Sequence, residues 1–143
     1  MALRLHPQLT ARHISASLPE EVKNNVIDVS REDDMCETLG AADVLITDYS
    51  AMTFDAAYIK IPVFLYVYDL RDYINDRGEL MWNLKKLPFP VAENMEALVH
   101  SIEVFDNEKY YEDVAGLFNE LEVKEDGNAS KRIVDVIENI ITL

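Results

Sequence analysis

Ala42-Asp43-Val44-Leu45-Ile46-Thr47-Asp48-Tyr49-Ser50-Ala51-Met52-Thr53-Phe54-Asp55-Ala56-Ala57 is the stretch on which the fold turns. Val44, Leu45 and Ile46 form a short apolar run of the kind shown by a strand buried on both faces. Thr47, Asp48, Tyr49 and Ser50 supply turn and cap chemistry, and Ser50 is a good N-cap because its hydroxyl accepts from an orphan N–H of the next turn. Ala51 to Ile59 reads as the helix that follows. The unit is strand, tight turn, helix start. Unpaired N–H groups and the positive end of the helix dipole make such a start able to hold a phosphate. Ligands of open parallel sheets sit outside the carboxyl ends of the strands, which is where this turn falls.

Working outward, Ala2 to His6 reads as a short strand that stops at His6-Pro7, since proline lacks an N–H and disfavours the helical region in the residue before it. Gln8 to Ser17 is weakly helical or loop, and Leu18 to Val22 is connector. Val26 to Val29 is a second strand, Ser30 a candidate cap, and Asp33 to Ala42 a short helix. After the central unit, Lys60-Ile61-Pro62 closes the helix and Val63 to Tyr68 is another apolar strand. Asp69 to Trp82 reads as a long loop, and Leu87 to Val91 as an extended piece. Asn94 to Phe105 is a helix with Met95, Leu98, Val99 and Ile102 on one stripe. Asn107 to Glu122 is a helix with Tyr110 or Tyr111, Val114, Leu117, Phe118 and Leu121 inward. Asp126-Gly127-Asn128 breaks the chain. Ala129 to Thr142 is a last helix with Ile133, Val136, Ile137, Ile140 and Ile141 as its apolar face. Alternation of strand and helix through residue 68, then helices, predicts an α/β fold with a parallel sheet of about four strands.

The 143 residues suit one domain or part of one, and a hydrophobic content of 49% supports a real core. A formal charge of −14 argues against nucleic acid as partner and against docking by charge on an anionic membrane. A single cysteine, Cys36, excludes an internal disulfide and fits a reducing compartment. No apolar run reaches the roughly 18–20 residues of a membrane span. No signal peptide is visible, and a strand with nothing before it reads as a chain cut from something longer. No metal-ligand spacing is present.

Arg4-Leu5-His6-Pro7, then Ala42 to Ser50 with Phe54-Asp55, then Val63 to Leu70, Leu87 to Val91 and Asp126 to Ser130, together resemble the CDP-glycerol glycerophosphotransferases. These are teichoic acid polymerases and primases of Gram-positive bacteria, enzymes of cell wall biogenesis. The ordered set covers nearly the whole chain. The resemblance implies a GT-B architecture of two Rossmann-like halves around a cleft, with residues 1–143 as the later part of the C-terminal, donor-binding half. It implies transfer of glycerol phosphate from CDP-glycerol, with no cofactor: a hydroxyl on a lipid-linked polyol-phosphate acceptor attacks the β-phosphorus and CMP leaves. Of two catalytic histidines, one falls on His6; its partner belongs to an N-terminal domain outside this sequence. Donor-binding positions fall on Arg4, Leu5, His6, Ser50, Ala51 and Asp55. A second serine often follows Ser50 in the family; here Ala51 keeps only the backbone N–H. The full-length enzyme would be cytoplasmic and peripheral at the inner face of the membrane.

The residues themselves leave alternatives open. His6 is either a histidine capping a loop at a strand end or a group that takes a proton or stabilises phosphoryl oxygens. Ser50 is a pure cap or also a ligand contact. Arg4 forks onto a phosphate or onto a carboxylate of this acidic chain. Asp55, which would repel a pyrophosphate, takes sugar or glycerol hydroxyls or is simply solvated. Asp48 caps the turn, His13 and His100 are surface residues, and Cys36 is a small buried group. Tyr66, Tyr68, Tyr73 and Trp82 anchor core or loop, or flank a base. Two other functions fit the strand–turn–helix unit: a GT-B glycosyltransferase using a nucleotide sugar, and a non-catalytic α/β nucleotide-binding module.

Overall fold

The computed structural model describes residues 1–6, 9 and 18–141; the expected helix or loop over Gln8–Ser17, and His13 with it, lie outside them apart from Leu9. The chain divides into two compact units, Met1–Phe64 and Leu65–Leu143.

In the first unit, β1 (Ala2–Leu3) pairs in parallel with β2 (Ile27–Asp28), Ala2 opposite Ile27 and Leu3 opposite Asp28. Between them α1 (Glu20–Lys23) occupies part of the expected connector. Pro19 presets the backbone ahead of its first turn, and its carbonyl accepts from Val22 N–H at 3.1 Å. α2 (Met35–Gly40) is capped by Asp34, whose carboxylate accepts from the amides of Cys36 and Glu37. Ser30, the cap expected from sequence, is engaged elsewhere. Leu39 is the buried residue of α2, and Cys36, three positions earlier, is exposed rather than buried.

β3 (Leu45–Thr47) and α3 (Met52–Tyr58) realise the central unit, α3 packing on β3. The strand is not buried on both faces. Leu45 and Thr47 are half-buried, while Val44 and Ile46 stand exposed, the alternation a pleated strand imposes when one face is covered. α3 buries Thr53, Ala56 and Ala57, spaced i, i+3, i+4. It ends in a Schellman motif: Lys60 N–H donates to Ala57 O at 3.1 Å and Ile61 N–H to Ala56 O at 2.9 Å, with Lys60 left-handed at φ 64°.

The strand that is buried along most of its length is β4 (Val63–Tyr66), with only Tyr66 half-buried; it begins in the first unit and ends in the second. Val63 is 0% exposed and Phe64 and Leu65 are each 2% exposed. Leu45 N–H donates to Pro62 O beside it, and on the other side β4 pairs in parallel with β5 (Val91–Ala92), giving the order β3-β4-β5. The stretch expected to be a long loop contains α4 (Leu70–Arg77). Leu70, Tyr73 and Ile74 form its half-buried stripe, and charged neighbours on the outer face mask that period in the sequence. Gly78 ends it at φ 90°.

α5 (Met95–Glu103) and α6 (Asn107–Glu120) are capped by the side chains of Asn94 and Asp106. Of the stripe expected on α5 only Leu98 is buried. On α6, Tyr110 and Val114 are buried, and the Tyr110 ring meets Phe105 and Phe89 at centroid distances of 5.2 and 6.4 Å. α6 ends like α3: Glu122 N–H donates to Asn119 O and Val123 N–H to Phe118 O, with Glu122 at φ 52°. Before α7 (Ala129–Ile141), Asp126 accepts from Asn128 N–H and from Arg132 Nη1, and Gly127 takes φ 73°. The Arg132 guanidinium, first among the causes, holds the Asp126 carboxyl below its ordinary value. The apolar stripe of α7 is as expected in sequence but not in burial: Ile133, Val136, Ile137, Ile140 and Ile141 are 48–77% exposed.

A left-handed backbone costs a non-glycine residue roughly 1–2 kcal/mol, and glycine recovers part of that. Glu122→Gly is therefore expected to raise stability by about 0.5–1 kcal/mol, read as a higher urea midpoint. A lower midpoint would contradict the Schellman assignment.

Candidate functional site

The residues around His6 are held by an interrupted ladder. Ile27 N–H donates to Met1 O and Val29 N–H to Leu3 O, each at 2.9 Å. Continuing that register places Leu5 opposite Ser30, and a regular parallel ladder would send Leu5 N–H to Val29 O. Two side chains take over instead. Leu5 N–H donates to Ser30 Oγ at 2.9 Å, and Val29 O accepts from Arg4 Nη1 at 3.1 Å. Arg4 Nη2 reaches on to Glu32 O at 2.9 Å. The chain thus leaves the sheet at Arg4-Leu5-His6 with its amide and the facing carbonyl both satisfied, and His6 is exposed. Arg4 grips backbone carbonyls here rather than a carboxylate, and its remaining guanidinium N–H groups are what it can offer an anion.

Ser30 is itself fixed by Asp28. Ser30 N–H donates to Asp28 Oδ1 at 2.9 Å, an Asx turn. The Ser30 hydroxyl, the larger influence, and then the Ser30 amide hold the Asp28 carboxyl below its ordinary 3.8; slight burial opposes them, and Arg31 adds a weaker pull downward. Ser30 therefore ties Asp28 to the His6 segment, its amide donating to Asp28 and its hydroxyl accepting from Leu5.

At the other candidate segment, Ala51 already has helical angles and no side chain able to cap, so capping falls to Ser50 one residue earlier. Ser50 Oγ accepts from Met52 N–H at 3.2 Å and Ser50 O from Thr53 N–H at 3.2 Å. Phe54 N–H donates to Ala51 O at 3.0 Å. The first amides of α3 thus have acceptors within the turn. Asp48 accepts from Tyr49 N–H at 2.7 Å, the turn role expected of it. Asp55 is exposed on α3. All six candidates, Arg4, Leu5 and His6 after β1 and Ser50, Ala51 and Asp55 around the start of α3, belong to the first unit.

Other residues singled out by sequence lie apart from these segments in the chain. His100 is exposed, and in the second unit the rings of Tyr66 and Tyr68 meet at 5.5 Å, tilted by 35°. A shallow cavity of about 260 Å³ in that unit, lined by Pro88, Pro90, Phe105, Lys109 and Tyr110, contains none of the six candidates. Among the described residues no group of three or more His, Cys, Asp or Glu side chains is placed to hold a metal ion.

Residues 1–139 match the family model of the CDP-glycerol:poly(glycerophosphate) glycerophosphotransferases. The chain belongs to this family. It is 36% identical over 121 residues to a teichoic acid glycerol-phosphate transferase of Staphylococcus aureus, covering 82% of this chain and 31% of that protein. It is 29% identical over 140 residues to a teichoic acid ribitol-phosphate primase of Bacillus spizizenii, covering 98% of this chain and 34% of the primase. Among solved structures it is similar to the wall teichoic acid polymerase TagF, with TM-score 0.70 and 29% identity over 99% of this chain and 34% of the polymerase. A variant of TagF soaked with CDPG matches at TM-score 0.71 and 31% identity, with the same coverage. The expected fold class, a Rossmann-like α/β piece of a GT-B-type transferase, is what the structure and these likenesses show. The chain spans about a third of the length of these two relatives.

Sequence reading missed Asp28 and Ser30 as partners of the His6 segment. The available signal was the Asp-x-Ser spacing at the end of a strand that pairs with β1, a pattern that favours an Asx turn over a helix cap. Because folding lowers the Asp28 carboxyl, its charge contributes stability above pH 3.8 that is lost as the pH falls below it. The stability gap between wild type and Asp28→Asn, followed by thermal melting, is expected to close on acidification through 3.8. A gap of equal size on both sides would show that the charge plays no part.

Proposed function

We propose that this chain is the donor-binding half of a glycerophosphotransferase that moves glycerol phosphate from CDP-glycerol to a growing teichoic-acid-type polymer. The observation that carries this is the family match over residues 1–139, which includes the Arg4-Leu5-His6-Pro7 segment and the turn at Ser50. In the reaction, an acceptor hydroxyl attacks the β-phosphorus of the donor. A new P–O bond forms, the pyrophosphate P–O bond breaks, CMP departs, and the hydroxyl proton must be taken up. His6 is the group of this chain assigned to that centre, exposed at the end of a clamped segment. Arg4 lends its remaining N–H groups to the phosphates, and Leu5 lines the same segment. The backbone at Ser50-Ala51 faces donor oxygens, and Asp55 accepts from ribose or glycerol hydroxyls. The acceptor is a lipid-linked polyol phosphate, and a second, N-terminal GT-B domain supplies the opposite wall of the cleft. No helix among the described residues is long and apolar enough to cross a membrane. The proposed setting is cytoplasmic, peripheral at the inner face of the membrane.

In the full-length protein, His6→Ala is expected to lower CMP release from CDP-glycerol by roughly 10²–10⁴-fold with the melting temperature retained. Turnover at the wild-type rate would overturn the assignment of His6. CDP-glycerol or CMP is expected to protect the protein thermally more than UMP does. Equal or absent protection would count against the cytidine donor.

A further inference from the structure

We propose that Ser30 is a positioning residue for the transfer reaction: its hydroxyl, which accepts the Leu5 amide while its own amide is held by Asp28, sets the direction in which the chain presents the His6 imidazole. The inference rests on the reading of His6 given under Proposed function, and it adds a residue that the resemblance does not include.

The ladder between β1 and β2 ends at Leu3–Asp28, three residues short of His6. Beyond that point a strand end is free to fray unless something else binds it. Ser30 Oγ takes the Leu5 amide at 2.9 Å, the last backbone donor before His6 itself. Arg4 binds the same loop through Val29 O and Glu32 O. The loop is held in turn, since Ser30 N–H is fixed on Asp28 Oδ1 at 2.9 Å. Ser30 is half-buried, so its bond to Leu5 is partly shielded from competing water. It does not cap α2, whose amides are served by Asp34. Its hydroxyl has one evident task, and that task lies one residue from the imidazole. A displacement of about 1 Å at a reacting group costs on the order of a hundredfold in rate, so a bond fixing the neighbouring amide has leverage on turnover.

The test uses the full-length protein and three substitutions: Ser30→Ala, which removes the acceptor, Ser30→Thr, which keeps it, and His6→Ala as reference. Ser30→Ala is expected to lower kcat on the order of ten- to a hundredfold with little change in KM for CDP-glycerol, and Ser30→Thr to restore most of it. A wild-type kcat for Ser30→Ala, or a loss that Ser30→Thr fails to rescue, overturns the inference while a dead His6→Ala leaves the transferase reading intact. A second measurement stands apart from turnover. The ring resonances of His6, assigned by their loss in His6→Ala, can be followed by NMR. They are expected to shift in Ser30→Ala and not in Ser30→Thr, with those of His100 unmoved in both. Unmoved His6 resonances in Ser30→Ala overturn the inference even if His6→Ala retains activity and the transferase reading itself has failed. Should Ser30→Ala not fold, Ser30→Cys, with a weak acceptor of similar size, is read in its place, and a wild-type kcat there overturns the proposal.

Discussion

The desolvation of β4 is the constraint from which the rest follows. Val63, Phe64, Leu65 and, just past the strand, Val67 lose nearly all contact with water. A backbone so enclosed must find a partner for every amide and carbonyl. Leu65 N–H and Val67 N–H donate to the carbonyls of Pro90 and Ala92, and Pro62 O receives Leu45 N–H. Burying four such side chains is worth roughly 1.5–3 kcal/mol each by transfer, before the entropy of ordering them is charged against it.

How much of this was legible from sequence differs by element for physical reasons. The run at Val63 announced itself because continuous apolar character survives in any context. The run at Val44 looked the same, yet Val44 and Ile46 are exposed: three residues are too few to distinguish one covered face from two. α4 was hidden because a helix carrying Arg71, Asp72, Asn75, Asp76 and Arg77 shows only three inward positions. The turn at Ser50 was read correctly in kind, though the cap position falls one residue later than the residue that does the capping. The candidate site was legible as separate segments, whereas the link from Asp28 through Ser30 to Leu5 depends on which strands pair, and pairing is a long-range property.

The exit of the chain from β1 shows how a sheet can hand over to a site. Where main-chain pairing stops, a serine hydroxyl and an arginine fork replace the missing partners, and the replacement allows a change of direction that a further ladder bond would forbid. Arg4 illustrates why a motif residue need not act through one function only. Its grip on Val29 and Glu32 fixes the guanidinium plane, so whatever its other N–H groups bind is met by a donor already held in place.

The bare stripe of α7 carries a consequence for how this polypeptide behaves in solution. Five branched aliphatic side chains facing water would favour clumping between molecules, and what opposes it is mutual repulsion from a net charge of −14. That repulsion disappears at the isoelectric point near 4.4 and is screened by salt. Colloidal stability of the isolated polypeptide is thus expected to rest on charge, and to weaken near its isoelectric point or in strong brine.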